Sequence, residues 1–286
     1  PRGKAAALVL TPVLAAPPVA TARTACGADT DCAPAPSLAG VVAWASQRER
    51  LAELAASGRD PGVLAMAMQA CATGSPPAEG SACQRLAAED WIAADPAHAE
   101  PWLRLAEQEQ EHTDAELADE AFRRALALPF GRLAEQSLLG AVQAAQPADA
   151  GVLEKLQMGE ALAALRGGWR EPGGSAVSAY CTAQQLKLAG RRELCQQLAE
   201  HLVLRGATLQ DVASGRAVGR RLGWYPERMA AAARDLEAAA RLSAGFSGEE
   251  AHDCPAAQRQ IDYYAAVAAQ GELAAVRRFA ASLPRP

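Results

Sequence analysis

Asparagine is missing from these 286 residues, isoleucine occurs twice, and three lysines (Lys4, Lys155, Lys187) stand against 25 arginines. That skew matches the codon bias of a GC-rich bacterial genome, so arginine abundance by itself carries no functional meaning. Aromatic residues make up only 5% of a chain that is half hydrophobic. Alanine fills the difference, and such a mix favours close-packed helices over a β-rich core. Long apolar runs are lacking too. The run Ala5–Ala16 is broken by Pro12 and falls short of the ~20 residues a membrane span requires, and no later segment approaches that length without charges. A surplus of positive charge is also absent, since 28 basic residues face 33 acidic ones, a balance that does not favour nucleic acid as a partner.

The signatures of chemistry are equally sparse. There is no His-Glu-x-x-His, no Gly-x-Ser-x-Gly, no Ser/His/Asp grouping and no paired-carboxylate pattern. No cofactor is therefore expected, and no catalytic or metal-binding residue is assigned. His98 and His112 read as exposed helix-terminus residues and His201 as a mid-helix residue. Only His252, with Glu249, Glu250 and Cys254, resembles a cluster, and acidic residues at a helix start explain that equally well. The glycines of "GRAVGRRLG", Gly215, Gly219 and Gly223, lack the preceding strand and the Gly-Lys-Ser/Thr of a phosphate loop. Close approach of a neighbouring helix explains the first two, and a C-cap the third.

What is present begins at the N-terminus. Arg2 and Lys4, the apolar run and then Ala20-Thr21-Ala22 follow the three-part grammar of a secretory signal peptide over residues 1–22. Seven cysteines stand at 26, 32, 71, 83, 181, 195 and 254. Cys71 and Cys83 flank a Pro-Pro turn in "CATGSPPAEGSAC", and Cys181 and Cys195 flank a turn near Gly190. Each pair is expected at matching heights on two antiparallel helices, within bridging distance. Neither pair has the Cys-x-x-Cys spacing of a zinc or thioredoxin-type site. Disulfide staples are expected, with buried thiols or a metal clip as alternatives. Cys26, Cys32 and Cys254 permit more than one pairing.

Breakers and caps predict an all-α chain of about thirteen helices, among them 82–94, 131–145, 148–166 and 175–189. After a flexible arm over 23–36, they predict a helical-repeat half over 37–168 and a helical C-terminal half over 169–286, hinged at the "GGWREPGG" loop. Thr113-x-x-Glu116 and Ser247-x-x-Glu250 read as capping boxes, and Pro226 and Pro255 as first-turn prolines.

The stretch "WLRLAEQEQEHTDAELADEAFRRALALP", from Trp102 to Pro129, resembles a tetratricopeptide repeat. Trp102, Leu105, Ala106, Ala118, Phe122 and Ala125 fall at that family's mutual spacings, and a ~34-residue period relates Trp91 to Ala125 and Leu105 to Leu139. The resemblance implies stacked antiparallel helix hairpins forming an α-solenoid. It also implies a partner-binding groove lined by Glu100, Leu103, Glu107, Gln110 and Glu111, whose carboxylates suit a basic protein or peptide segment. The function expected is a periplasmic or secreted protein mediating protein–protein interaction or assembly without catalysis. The alternatives are an enzyme with a site assembled from distant helices, or a small-ligand or metal-binding protein. Cell fractionation is expected to recover a periplasmic form beginning at Arg23; full-length, fully reduced protein in the cytoplasm would overturn the export reading.

Overall fold

A computed structural model describes residues 24–25, 31–32, 48–72, 76–111, 114–130, 174–247 and 254–282. The expected signal peptide, the helices predicted over 131–145 and 148–166, most of the hinge loop including Trp169, and the pairing of Cys26, Cys32 and Cys254 lie outside the described residues. Thr24–Ala25 (β1) pairs antiparallel with Asp31–Cys32 (β2); the other regular elements described are helical.

Asp60-Pro61 opens the second helix. The Asp60 carboxylate accepts from the amides of Gly62 and Val63 at 2.9 and 3.2 Å, and Pro61 takes a position where no amide is needed. The first hairpin is thus α1 (Arg48–Gly58) and α2 (Pro61–Ala72). Residues 62–70 of α2 are all buried, as befits a helix that is apolar all round.

The helix expected over 82–94 is two short ones, α3 (Ala82–Arg85) and α4 (Ala88–Ala94), with Leu86 and Ala87 extended between them. No glycine or proline marks the break. Leu86 turns into the core, and the freed Ala88 amide donates to Gln108 Oε1 on the next helix at 3.3 Å. That partner satisfies a donor the broken helix leaves orphaned.

The hairpin of α5 (Ala99–Glu111) and α6 (Ala115–Leu126) follows. Asp114, one residue after the expected Thr113, caps α6 by accepting from the Leu117 amide at 3.0 Å; Thr113 itself is outside the described residues.

The helix expected over 175–189 is also corrected. It is α7 (Gly174–Tyr180), a turn holding Cys181, and a 3-10 turn Gln185–Lys187. Gly190, at φ +73°, then starts α8 (Arg191–Arg205). Thr208 and Asp211 form a reciprocal capping box for α9 (Leu209–Leu222), and Gly223 closes it in the left-handed conformation at φ +82°. After a 3-10 turn at Pro226–Met229 come α10 (Ala230–Ser247), α11 (Cys254–Gln270) and α12 (Glu272–Ala280). Ser247 therefore closes α10 where it was expected to open a helix. Twelve α-helices stand among the described residues.

Both expected disulfides are present. Cys71 is joined to Cys83 with 5.4 Å between Cα atoms, and Cys181 to Cys195 with 5.7 Å. Each closes a loop of a dozen or so residues, which in the chain-entropy model stabilises by about 3 kcal/mol.

One core cluster joins α1–α4 to Ala238 and Leu242 of α10, Tyr263 and Val267 of α11, and Val276 of α12. A second joins α5 and α6 to α7, α8 and α9. A third, with Val203, Val212, Ala232 and Leu273, ties α8 and α9 to α10 and α12. Helix contacts thus run from α4 through α5, α6, α8 and α9 to α10 and α12, and the last helices share a core with the first hairpin. In an open stack each unit meets only its neighbours. Polar links fix α12 to its neighbours: Glu272 accepts from the Leu209 amide of α9 at 2.9 Å, and Arg277 grips both oxygens of Asp235 of α10 at 2.9 and 2.6 Å.

The glycine stripe is spent on packing. A Cβ on Gly215 would stand 2.8 Å from Leu202 Cβ and 3.0 Å from the Ala199 carbonyl; one on Gly219 would stand 2.5 Å from the Trp224 ring. Gly215→Ala and Gly219→Ala are each expected to lower stability by about 1–3 kcal/mol through overpacking. Gly58→Ala, in open space, is expected to be neutral or stabilising. Urea unfolding of the three variants checks this, and equal effects would refute it.

Candidate functional site

The groove residues are the first to place. Glu100 and Leu103 are buried, Leu103 to 2% exposure. Leu103 shares its cluster with Ala176, Val177 and Tyr180 of α7, and α7 packs on α5. Glu107 pairs with Arg104 on its own helix, and Gln110 Nε2 donates to the Ala106 carbonyl at 3.1 Å. Glu111 ends α5; its side chain is not among those described. Leu103 is thus covered by the protein's own α7, which lies against α5. The small residues Ala106, Ala118 and Ala125 and the large Phe122 are buried, while Trp102 and Leu105, expected to fill the same space, are half-buried at the cluster's edge.

What holds α7 down is a cluster built by the second disulfide. Tyr180 precedes Cys181, and Arg191 lies one turn before Cys195, so the Cys181–Cys195 bond brings the two side chains together. The Arg191 guanidinium lies 3.8 Å from the Tyr180 ring centroid and 2.9 Å from Asp119 Oδ1. The Tyr180 hydroxyl donates to the same carboxylate, and its ring meets Phe122 at 4.3 Å between centroids. Burial, followed by the hydrogen bond to Asp119, pushes the Tyr180 hydroxyl far above its ordinary pKa of 10. A phenol so held serves as a donor and not as an acid catalyst. Arg191 is buried and Asp119 half-buried, and with the Tyr180 bond the cluster fastens α6, α7 and α8 to one another.

The most exposed aromatic among the described residues is Tyr225, and "GWYPER" explains why. Glycine at 219 lets Trp224 fold back, its amide donating to the Gly219 carbonyl at 2.9 Å. Arg228 stacks 4.1 Å from the Trp224 ring and pairs with Glu200. Arg192 donates to the Leu222 carbonyl at 3.0 Å. The segment is thus pinned to α8 at Arg192 and again at Glu200, two turns along, and Tyr225 between those anchors is 79% exposed. A shallow depression lined by Gly190, Arg192, Glu193, Gln196 and Gln197 runs along the same stretch of α8. Aromatic and arginine side chains set on a braced backbone are the residue types that dominate protein interfaces. The order Trp-Tyr-Pro-x-Arg carried that signal in the sequence, where it went unread beside the glycines.

No family model, curated protein or solved structure matches this chain.

The remaining candidates resolve locally. No three histidine, cysteine or carboxylate side chains converge as metal ligands among the described residues; His112, Glu249, Glu250 and His252 lie outside them. His98 Nδ1 is 2.6 Å from Asp95 Oδ1. His201 stacks on Phe130 at 4.1 Å between centroids, and its buried Nε2 has no partner. Burial and then the Arg205 charge hold His201 below the ordinary 6.5. The folded protein therefore resists a proton that the unfolded chain takes up near 6.5, so His201's contribution is fully present above that pH and is lost as pH falls below it. The melting temperature is expected to fall between pH 7 and 5 by more in the wild type than in His201→Gln. An identical pH dependence in the two would refute this.

Proposed function

We propose that this protein is an exported, disulfide-braced helical module that acts by binding a protein or peptide partner. The observation that carries the reading is Tyr225, exposed on a segment anchored twice to α8. An aromatic side chain ordered in advance binds at low entropic cost. The signal-peptide grammar of residues 1–22 and two disulfides suited to an oxidising compartment support a periplasmic or secreted location. Among the described residues no helix is long and apolar enough to cross a membrane. In this reading α5–α6 is a single tetratricopeptide-like hairpin built into a helical assembly that closes on itself, and it contributes rigidity while partner contact falls to the α8 face. The preference for a basic partner weakens, because Glu100 is buried and Glu107 is paired within its own helix.

A photo-crosslinking amino acid at position 225 is expected to capture a discrete partner in the native compartment, while the same residue at Glu116, exposed on α6, captures none. Tyr225→Ala is expected to weaken the captured complex by about 2 kcal/mol or more while changing stability by less than about 0.5 kcal/mol. No adduct at 225, or equal capture at 116, would overturn the assignment. Glu107→Lys is expected to act differently, lowering thermal stability by placing a second cation beside Arg104.

A further inference from the structure

Sequence separation makes the two disulfides near twins, at 12 and 14 residues. Their surroundings separate them. Cys181 and Cys195 are fully buried within the cluster that also holds Tyr180 and Phe122. Cys71 lies in the last turn of α2 in a half-buried position. Its sulfur has the Arg48 carbonyl 4.0 Å away, and Pro76, Ala78, Glu79 and Gly80 of the same closed loop are exposed. Cys83, its partner, is only 6% exposed, and its amide donates to the Glu49 carboxylate at 3.2 Å. Thiol–disulfide exchange needs an attacking thiolate in line with an accessible sulfur. Three of the four bridged sulfurs belong to buried cysteines, so Cys71 is the natural point of entry.

We propose that Cys71–Cys83 is a reducible fastener on the α2–α3 connection, addressed by a dithiol reductant at Cys71, while Cys181–Cys195 is permanent. The exchange balances in two steps. One thiolate of the dithiol attacks Cys71 Sγ, an intermolecular S–S bond forms, and the electron pair of the broken bond leaves on Cys83 Sγ, which takes a proton from water. The second thiolate of the reductant then attacks its own bridged sulfur and releases Cys71 as a thiol. Two electrons pass to the protein disulfide, and the reductant departs as a disulfide. The released element is α3, only four residues long. Without the bond it keeps the Glu49 contact, the Ser81 cap, the Gly80–Gln84 bond and its packing on α1 and α2, and a single turn of helix held by these alone frays, since nucleation is unfavourable. Arg85, exposed at the end of α3 and bonded to the Gly80 carbonyl, then becomes a cleavable site ahead of the buried Leu86.

The folded, oxidised protein is treated with graded dithiothreitol, pulsed with iodoacetamide and mapped by mass spectrometry. Cys71 and Cys83 are expected to be alkylated at least about tenfold faster than Cys181 and Cys195, which react only under denaturing conditions. Limiting reduced glutathione is expected to leave its adduct on Cys71. Tryptic cleavage after Arg85 is expected to accelerate on mild reduction, and in the Cys71→Ser/Cys83→Ser variant to be fast with or without reductant. Equal alkylation of the two pairs, earlier alkylation of Cys181 and Cys195, an adduct on Cys83, or cleavage after Arg85 that ignores reduction would each overturn the proposal.

Discussion

The carboxylate of Asp119 holds two dissimilar donors at once, the Tyr180 hydroxyl and the Arg191 guanidinium, and much of the architecture depends on that shared acceptor. Asp119 comes from α6, Tyr180 from the end of α7 and Arg191 from the first turn of α8. An arginine removed from water needs its charge answered and its donors used. The carboxylate, the tyrosine face and Gln185 Oε1 at 3.3 Å supply that. With α7 fixed in this way, Leu103 is covered and the face of α5 is filled from within. A charge network among three other residues thereby decides what covers Leu103.

Local features were legible in the sequence in proportion to how locally they are determined. Gly223 and the two cysteine pairs act through neighbours within a turn or a short loop, and each stands where its spacing implies. Gly215 and Gly219 were readable as close-approach positions because a mid-helix glycine is unfavourable unless something else is gained. The break at Leu86–Ala87 was not readable, since nothing in those residues resists helix and the cause is a core that accepts Leu86 and a glutamine from another helix that accepts from Ala88. The burial of Glu100 and Leu103 was hidden for the same reason. An amphipathic pattern shows that a face is apolar or charged, and what covers it is decided by segments far along the chain.

Alanine sets the texture of the interior. Ala52, Ala55, Ala65, Ala67, Ala70, Ala88 and Ala106 are fully buried, and the largest side chains as enclosed among the described residues are Trp91, Tyr180, Phe122, Met66 and several leucines. Small side chains bring helix backbones close and lose almost no rotamer freedom on burial. They also remove little apolar area each, so a core of this kind draws less stability from burial per residue than one rich in phenylalanine and isoleucine. Two covalent cross-links and several buried polar links fit that deficit.

The cluster shared by the first hairpin and the last three helices makes time a variable. A chain that emerges N-terminus first presents Leu51, Leu64, Met66 and Met68 long before Tyr263, Val267 and Val276 exist to cover them. At about 5–20 residues per second the wait is on the order of ten seconds or more. During it the hairpin is an apolar surface in search of a lid, the condition in which chains meet chaperones or one another. Non-local closure of this sort slows folding. The protein's own C-terminal helices act as the chaperone that arrives last.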